Sequence, residues 1–371
     1  LRITSLQIED FRNLAAVSLL PSPRTTVFVG DNGQGKTNLL EALFFLTTLK
    51  PLRAGRLAEL VRFGSARASV AAQVEGPGGL RGLSVEIDST GRTARLDGKP
   101  QDRLEGYFEG LAAVCFAPDD LLLVKGSPDG RRRFLDRAAF NRWPAVLTEA
   151  REYVRALRSR NAALRDAHPD VEESFRDPLV RCGARILRRR RDIVAELAPR
   201  VDQAFREISG PAAASAELSY RPSSGLDLDG EEEAIADRLR RVLADRLERD
   251  RERGYTSAGP HMDDVSLQLG GRAARLYGSQ GQQRAFVLAL KIAEIENIRA
   301  LLGRPPILLL DDVSSELDPE KNRFLLGYLR ALEGQAFLTT TDARLLEPAA
   351  GPETVFLRVE SGAVAELFSQ R

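Results

Sequence analysis

The chain has 371 residues, 43% apolar and 29% charged, with a formal net charge of +1. This is the composition of soluble globular domains, and no apolar run reaches the ~18 residues of a membrane-spanning helix. Two cysteines, Cys115 and Cys182, give neither a disulfide framework nor a metal-ligand spacing. The opening residues carry no signal-peptide pattern, so a reducing cytosol is the expected setting and no membrane is expected as a partner.

Residues 3–8 alternate as a strand, and 17–20 are placed to pair with them. Thr25–Val29 is a short apolar strand leading into a glycine-rich loop, followed by a helix over 37–49 with Leu39, Leu40, Leu43 and Leu46 on or near one face. Pro51 limits that helix. Strands at 68–74, 83–88 and 92–96 are separated by Gly76-Pro77-Gly78-Gly79 and Asp97-Gly98, turn formers that imply antiparallel pairing. A buried strand at 112–116 is closed by Pro118.

Composition then shifts. From about 128 to 208 the chain is rich in Arg, Ala, Leu and Glu, with long helices expected at 145–164 and 179–205 and a break near His168-Pro169. A strand is expected at 216–220, and a third charged helix at 231–253 keeps Ile235, Leu239, Val242, Leu243 and Leu247 at three-to-four spacing. These helices either pack on one another as a subdomain, or the first and third project as a short antiparallel arm. Strand-rich sequence returns after Gly254: Asp264–Leu269 alternates, Gly270-Gly271 turns, and a strongly apolar helix runs over 282–301. Ile307–Leu310 is a near-continuous apolar run, as a central parallel strand should be. A helix at 320–333, a strand at 336–340 and a terminal pair at 354–359 and 363–368 complete the expected elements.

Gly30-Asp31-Asn32-Gly33-Gln34-Gly35-Lys36-Thr37 has the spacing and the strand–loop–helix context of a phosphate-binding loop. Its glycines let backbone N–H groups converge on phosphates at a helix N-terminus. Lys36 is expected on the β- and γ-phosphates and Thr37 on Mg²⁺. Far downstream, Asp311 follows four apolar residues as the magnesium carboxylate. Asp312 either orients the attacking water or caps a local turn. Asp318-Pro319 has the form of a helix start. Ser279-Gln280-Gly281-Gln282 reads as a capping box, Ser279 with Gln282 three residues on. Gly281 in the first turn costs about 0.8–1 kcal/mol against alanine as helix interior, which close approach to a second anion would explain.

Together these motifs resemble the ABC-type ATPase heads of the SMC and DNA-repair group, and within it the bacterial recombination mediators. The likeness extends to Asp10-Phe11-Arg12-Asn13, Val124-Lys125-Gly126-Ser127-Pro128, Arg131-Arg132-Arg133-Phe134-Leu135-Asp136, Gly259-Pro260-His261 with Asp263-Asp264, and 278–284. It implies an α/β fold: a P-loop ATPase head with an antiparallel β subdomain, built from 1–127 and 256–371, and an inserted all-helical arm at 128–255. It implies ATP and Mg²⁺ as cofactors and an ATP-dependent homodimer. Gly30, Asp31, Asn32, Gly33, Gln34, Gly35, Lys36, Thr37 and Asn38 of one subunit, with Asp311, would face Ser279, Gly281 and Gln282 of the other. Lys36, Asp311 and Asp312 would be catalytic, in a weak DNA-stimulated ATPase. Ser315 and Asp318 resemble a loop that crosses the dimer interface. Thr341 stands where many transporters have a switch histidine, and Pro118-Asp119 replaces a glutamine, so a transport ATPase is disfavoured. An SMC-like organiser of chromosomes is the nearer alternative.

The basic residues are 48 Arg against 6 Lys, and between Arg131 and Arg165 ten Arg stand against three acids. The resemblance implies DNA contact through Arg53, Arg56 and Arg62 and through the arm, where Arg131, Arg132, Arg151, Arg155 and Arg158 are the candidates. Such contacts hold duplex DNA without reading sequence. The single Trp143 has no aromatic neighbour in sequence, so no stacking platform for single strands is expected. His261 is either a packed turn residue or a contact near the nucleotide. The expected targets are double-stranded and gapped DNA. The expected partners are RecR-like and RecO-like mediators and, indirectly, the recombinase RecA, in a cytoplasmic, nucleoid-associated setting.

Overall fold

The computed structural model describes all residues except 54, 77, 102–103, 167–168, 313–316, 347–349 and 369–371. The chain divides into two compact units, Leu1–Asp120 with Glu294–Arg371, and Leu121–Ala293. The second unit is wider than the 128–255 segment expected as the insertion, because it also takes in Ser279 to Gln282.

The first unit holds two six-stranded sheets. One is wholly antiparallel, in the order Leu14–Leu19, Arg2–Phe11, Ala68–Gly76, Gly79–Asp88, Gly91–Leu96, Lys99–Pro100. The pairing expected between 3–8 and 17–20 is formed, with Ile8 opposite Val17. The other sheet runs Ala363–Phe368, Thr354–Glu360, Thr25–Val29, Ala336–Thr340, Ile307–Leu310, Ala113–Phe116, parallel throughout except for its first edge strand. Strands buried on both faces need apolar residues at every position, and Ile307–Leu310 and Ala113–Phe116 are buried at all four positions. Buried Gln335 ties the two sheets: its Oε1 accepts the Ile3 N–H at 2.7 Å, and its Nε2 donates to the Ile3 and Ser22 carbonyls at 2.9 and 2.8 Å.

The second unit is mainly helical. Val146–Arg165, Pro169–Ser209 and Glu232–Asp245 pack on one another through a core that includes Tyr153, Leu179, Leu187, Ile235 and Leu239. They therefore form a packed subdomain, as one of the two expected arrangements had it. The strand expected at 216–220 runs Ala216–Arg221 and pairs antiparallel with Asp264–Leu269. Two expectations fail. The second long helix starts at Pro169 and carries Pro178 and Pro199 within it; packing outweighs the missing N–H groups. A further helix, Pro128–Arg142, was not expected. It starts on Pro at its first position, but its run of Arg hides the buried stripe of Phe134, Leu135, Ala138 and Ala139.

Buried ion pairs organise this unit. Arg190 binds Asp136 through both oxygens at 2.8 and 3.0 Å and donates to the Pro260 carbonyl at 2.6 Å. Arg160 and Asp250 are both wholly buried, 2.9 Å apart, with Thr256 Oγ1 2.7 Å from the same guanidinium nitrogen. Replacing one member of such a pair strands the other in a low-dielectric interior and costs about 3–5 kcal/mol, whereas replacing both by apolar residues is often neutral. Asp250→Ala is therefore expected to destabilise the chain by about that amount in urea unfolding. The double variant Arg160→Met, Asp250→Leu should recover part of the loss.

Candidate nucleotide site

The strand order of the parallel sheet explains how the site assembles. Thr25–Val29 and Ile307–Leu310 lie on either side of Ala336–Thr340, with Val29 beside Thr340 and Leu310 beside Leu338. Their carboxyl ends therefore open side by side, the edge at which open α/β sheets bind ligands. The glycine loop leaves the first, Asp311-Asp312 leaves the second, and Thr339 sits on the strand between.

Asp311 is the node. Its Oδ1 accepts from Thr37 Oγ1 at 2.8 Å and from Thr339 Oγ1 at 2.9 Å, while the Thr339 hydroxyl oxygen accepts the Asp312 N–H at 2.9 Å. Burial pushes the Asp311 carboxyl above its ordinary range, against the hydroxyl hydrogen bonds and the charge of Arg53. Asp312 takes a left-handed backbone, φ +47°. Lys36 is buried, which lowers its ammonium below the usual lysine range against the opposing charges of Asp312, Asp311 and Asp31. Its Nζ donates to the Gly30 and Asp31 carbonyls at 2.6 and 2.9 Å, two of its three N–H groups.

The loop itself is held from outside. Asn13 Nδ2 donates to the Gln34 carbonyl at 3.2 Å and Asn13 Oδ1 accepts from Asn38 Nδ2 at 2.7 Å. The turn of the terminal hairpin adds Ser361 N–H to Gln34 Oε1 at 2.6 Å and Gly362 N–H to the Gln34 carbonyl at 2.8 Å. Behind them, Arg12 binds buried Glu41 at 2.9 Å. A side chain at Gly30 would overlap the Val359 carbonyl, and one at Gly35, φ +114°, would meet Asn13 at 2.8 Å. The loop is thus a backbone-lined cradle with one buried cation. Beside it lie a hydroxyl and a carboxylate, the hard oxygen donors that suit Mg²⁺. These residues fit a triphosphate with its magnesium: Gly30 to Lys36 for phosphate oxygens, Thr37 and Asp311 for the metal.

In the second unit, the expected capping box is present. The Ser279 N–H donates to Gln282 Oε1 at 2.9 Å and the Gln282 N–H to Ser279 Oγ at 3.2 Å. Ser279 and Gln282 are exposed, as are Leu276 and Tyr277 just before them. Buried Gln283 braces the turn by donating to the carbonyls of Ala274, Arg275 and Gly278 at 3.1, 3.2 and 3.1 Å.

A family model described as RecF/RecN/SMC N terminal domain matches residues 2–362. The DNA replication and repair protein RecF of Anaeromyxobacter dehalogenans (strain 2CP-C) is 71% identical over 372 residues, covering all of both chains. That of Myxococcus xanthus (strain DK1622) is 54% identical over 370 residues, 98% of this chain and 97% of its own. The chain belongs to the RecF family. The solved structure of the recombination mediator protein RecF-ATP superposes with a TM-score of 0.89 at 28% identity, over 99% of this chain and 98% of that one. An Smc head domain from Pyrococcus furiosus, 16% identical, shares the fold with a TM-score of 0.56. The ABC-type head with an antiparallel β subdomain and an inserted helical arm is thus the architecture of the RecF chain.

Set against this RecF fold, the remaining expected residues sort clearly. Arg131, expected on DNA, is buried: it binds both oxygens of Asp264 at 2.7 and 3.0 Å and donates to the Leu123 and Gly126 carbonyls. Its charge is used inside the protein. Arg132 is half-buried and donates to the Asp263 carbonyl at 2.7 Å. Arg151, Arg155 and Arg158 are exposed along one helix, as are Arg53, Arg56 and Arg62 in the first unit, Arg62 lying 3.5 Å from Asp10. His261 is a packed turn residue. Its Nδ1 lies 2.6 Å from the Tyr153 hydroxyl and its Nε2 2.9 Å from the Thr256 carbonyl, and burial lowers its pKa below the usual histidine range. Asp318 caps the helix Pro319–Ala331 by accepting the Lys321 N–H at 3.0 Å. Thr341 is exposed beyond the strand, and Ser315 lies outside the described residues. Thr339 and Gln283 were not foreseen. Two threonines at the end of an apolar strand were the only signal for Thr339.

Because the Asp311 carboxyl is raised, its protonated form is the one the fold favours. The relative stability this confers is present at low pH and is lost as pH rises through the raised value. Asp311→Asn is therefore expected to raise the Tm of the nucleotide-free protein at neutral pH, with the gain shrinking as pH falls below the carboxylate range. The same variant should abolish magnesium-dependent nucleotide retention. Calorimetry across pH and filter binding check the two arms.

Proposed function

We propose that the chain is an ATP-dependent, DNA-binding recombination mediator whose ATP-bound homodimer clamps duplex DNA near single-strand gaps and is released by slow hydrolysis. The observation that carries this reading is the Thr37–Asp311–Thr339 cluster beside a backbone-lined cradle; the second unit separately presents an exposed helix start at Ser279. ATP would supply the phosphoryl group to be transferred and Mg²⁺ the charge neutralisation. Backbone N–H groups of the loop and Lys36 would bind phosphates; Thr37 and Asp311 would hold the metal, Thr339 orienting Asp311. Asp312 orients the attacking water. Ser279, Gly281 and Gln282 of a second copy, with exposed Leu276 and Tyr277 beside them, complete the opposite wall, so that binding ATP reports on assembly.

Arg151, Arg155 and Arg158 hold the phosphate backbone with their always-charged, planar guanidinium groups. Partners resembling RecR and RecO would be recruited to the clamp on the nucleoid, and RecA loaded next to it.

Lys36→Arg is expected to retain ATP binding and lose turnover, while Ser279→Ala keeps contact at the phosphate loop and weakens dimerisation. Nucleotide filter binding and phosphate release read the first; light scattering with ATP and Mg²⁺, with and without gapped duplex, reads the second, and a mass that stays monomeric on DNA sinks the clamp. Replacing Arg151, Arg155 and Arg158 together by Gln should lower the slope of log affinity against log salt by roughly 0.9 per lost phosphate contact, equally across DNA sequences.

A further inference from the structure

The segment from Gly55 to Arg67 presents an aromatic ring that phosphate binding does not use. Its base is anchored: Leu60 is buried, Val61 bridges to Phe11, the Arg12 N–H donates to the Leu60 carbonyl at 2.8 Å and the Arg62 N–H to the Asp10 carbonyl at 2.8 Å. From there the chain turns over Arg62-Phe63-Gly64-Ser65, closed by the Ser65 N–H on the Arg62 carbonyl at 2.9 Å. Gly64 has φ +87°, the left-handed value that the third position of a type II turn requires. Phe63 is thus fixed at the second position, and its relative exposure is 104%.

A lone surface hydrophobe needs no explanation. A ring held wholly in water on an anchored turn, among cations, is a different case. Between Gly55 and Arg67 three arginines, Arg56, Arg62 and Arg67, stand against one acid, Glu59. The ion pairs of Arg62 with Asp10 at 3.5 Å and Arg67 with Glu86 at 3.3 Å are exposed, weak enough to exchange for phosphates. A protein interface would set the ring among other buried apolar anchors, whereas Arg62, Gly64 and Ser65 flank it here.

We infer that Phe63 stacks on the terminal base pair where duplex gives way to single strand, with Arg56 and Arg62 on the adjoining phosphates. This rests on the DNA-binding reading above and deepens it. Phosphate contacts hold any duplex alike, but an open base-pair face exists only where pairing stops, at a gap edge or a duplex end, and stacking on it is tolerant of sequence.

The test uses the full chain with ATP and Mg²⁺ on two circular DNAs without ends, a covalently closed duplex and a gapped duplex carrying 2-aminopurine at the last paired position. Phe63→Ala should weaken binding to the gapped DNA roughly 5- to 150-fold, the range of one base stack, and change continuous-duplex binding less than about 2-fold. Phe63→Trp should keep the preference. Wild type and Phe63→Trp should alter the 2-aminopurine fluorescence on binding, and Phe63→Ala should not. Equal losses on both DNAs, or no loss on either, overturn the inference. So does a Phe63→Ala protein that keeps its gap preference but loses ATP-dependent dimer mass, which would make the turn a protein contact. A wild type that binds neither DNA overturns the DNA reading itself, whereas one that binds both while Phe63→Ala behaves identically overturns only the stacking site.

Discussion

Everything at the nucleotide site depends on one shared oxygen, Asp311 Oδ1, which accepts from Thr37 and Thr339 at 2.8 and 2.9 Å. Thr37 belongs to the N-terminal third of the chain, Asp311 and Thr339 to the C-terminal third. The hydrogen bonds form only when Ala336–Thr340 has inserted between Thr25–Val29 and Ile307–Leu310. A buried carboxylate is costly unless its lone pairs are satisfied, so the two hydroxyls make the charge tolerable while leaving it available to a metal. The terminal hairpin contributes from the far side through Ser361 and Gly362, both on Gln34. The phosphate loop is therefore braced at both ends of the sequence, and its geometry is a property of the completed sheet more than of its own residues.

This distribution decides what could be read from sequence. The glycine loop and the capping box were legible because each is local: its residues lie within eight positions and its flanking strand or helix shows its own period. Asp311 was legible because a fully buried strand must end somewhere, and two acids mark the end. Thr339 was not, because its importance comes from strand order, which periodicity does not carry. The arginines illustrate the same limit more sharply. Arg131 and Arg151 look alike in sequence, yet one is buried against Asp264 and the other is exposed. The partners of Arg131, Arg160 and Arg190 are Asp264, Asp250 and Asp136, two of them ninety or more positions away. A local excess of positive charge thus overstates surface charge wherever distant acids return to the same interior.

The motif Gly259-Pro260-His261 with Asp263-Asp264 acquires a physical account in this way. Pro260 offers its carbonyl to Arg190, His261 bonds Tyr153, and Asp263 accepts the Tyr220 hydroxyl at 2.6 Å and the Ser223 N–H at 2.7 Å. With Asp264 on Arg131, the segment fastens the helices of the second unit to its small sheet. Its residues act through buried hydrogen bonds, where a missing partner is expensive, and they need no ligand to explain them. Trp143 is likewise structural: Arg142 and Arg189 each approach its ring at 5.3 Å.

The backbone at Asp312 bears on its chemistry. At φ +47° the residue occupies the left-handed region, which costs most side chains about 1–2 kcal/mol and which Asp and Asn tolerate best because a short polar side chain can bond locally. The strain is maintained from outside: the Asp312 N–H is held by Thr339, whose hydroxyl also holds Asp311. One threonine therefore orients the Asp311 carboxyl and fixes the backbone from which the second acid projects. An acid one methylene longer would reach farther but would sit less comfortably on this turn. On the proposed mechanism, a shorter reach toward water would be the consequence of a backbone that the Asp311 cluster imposes.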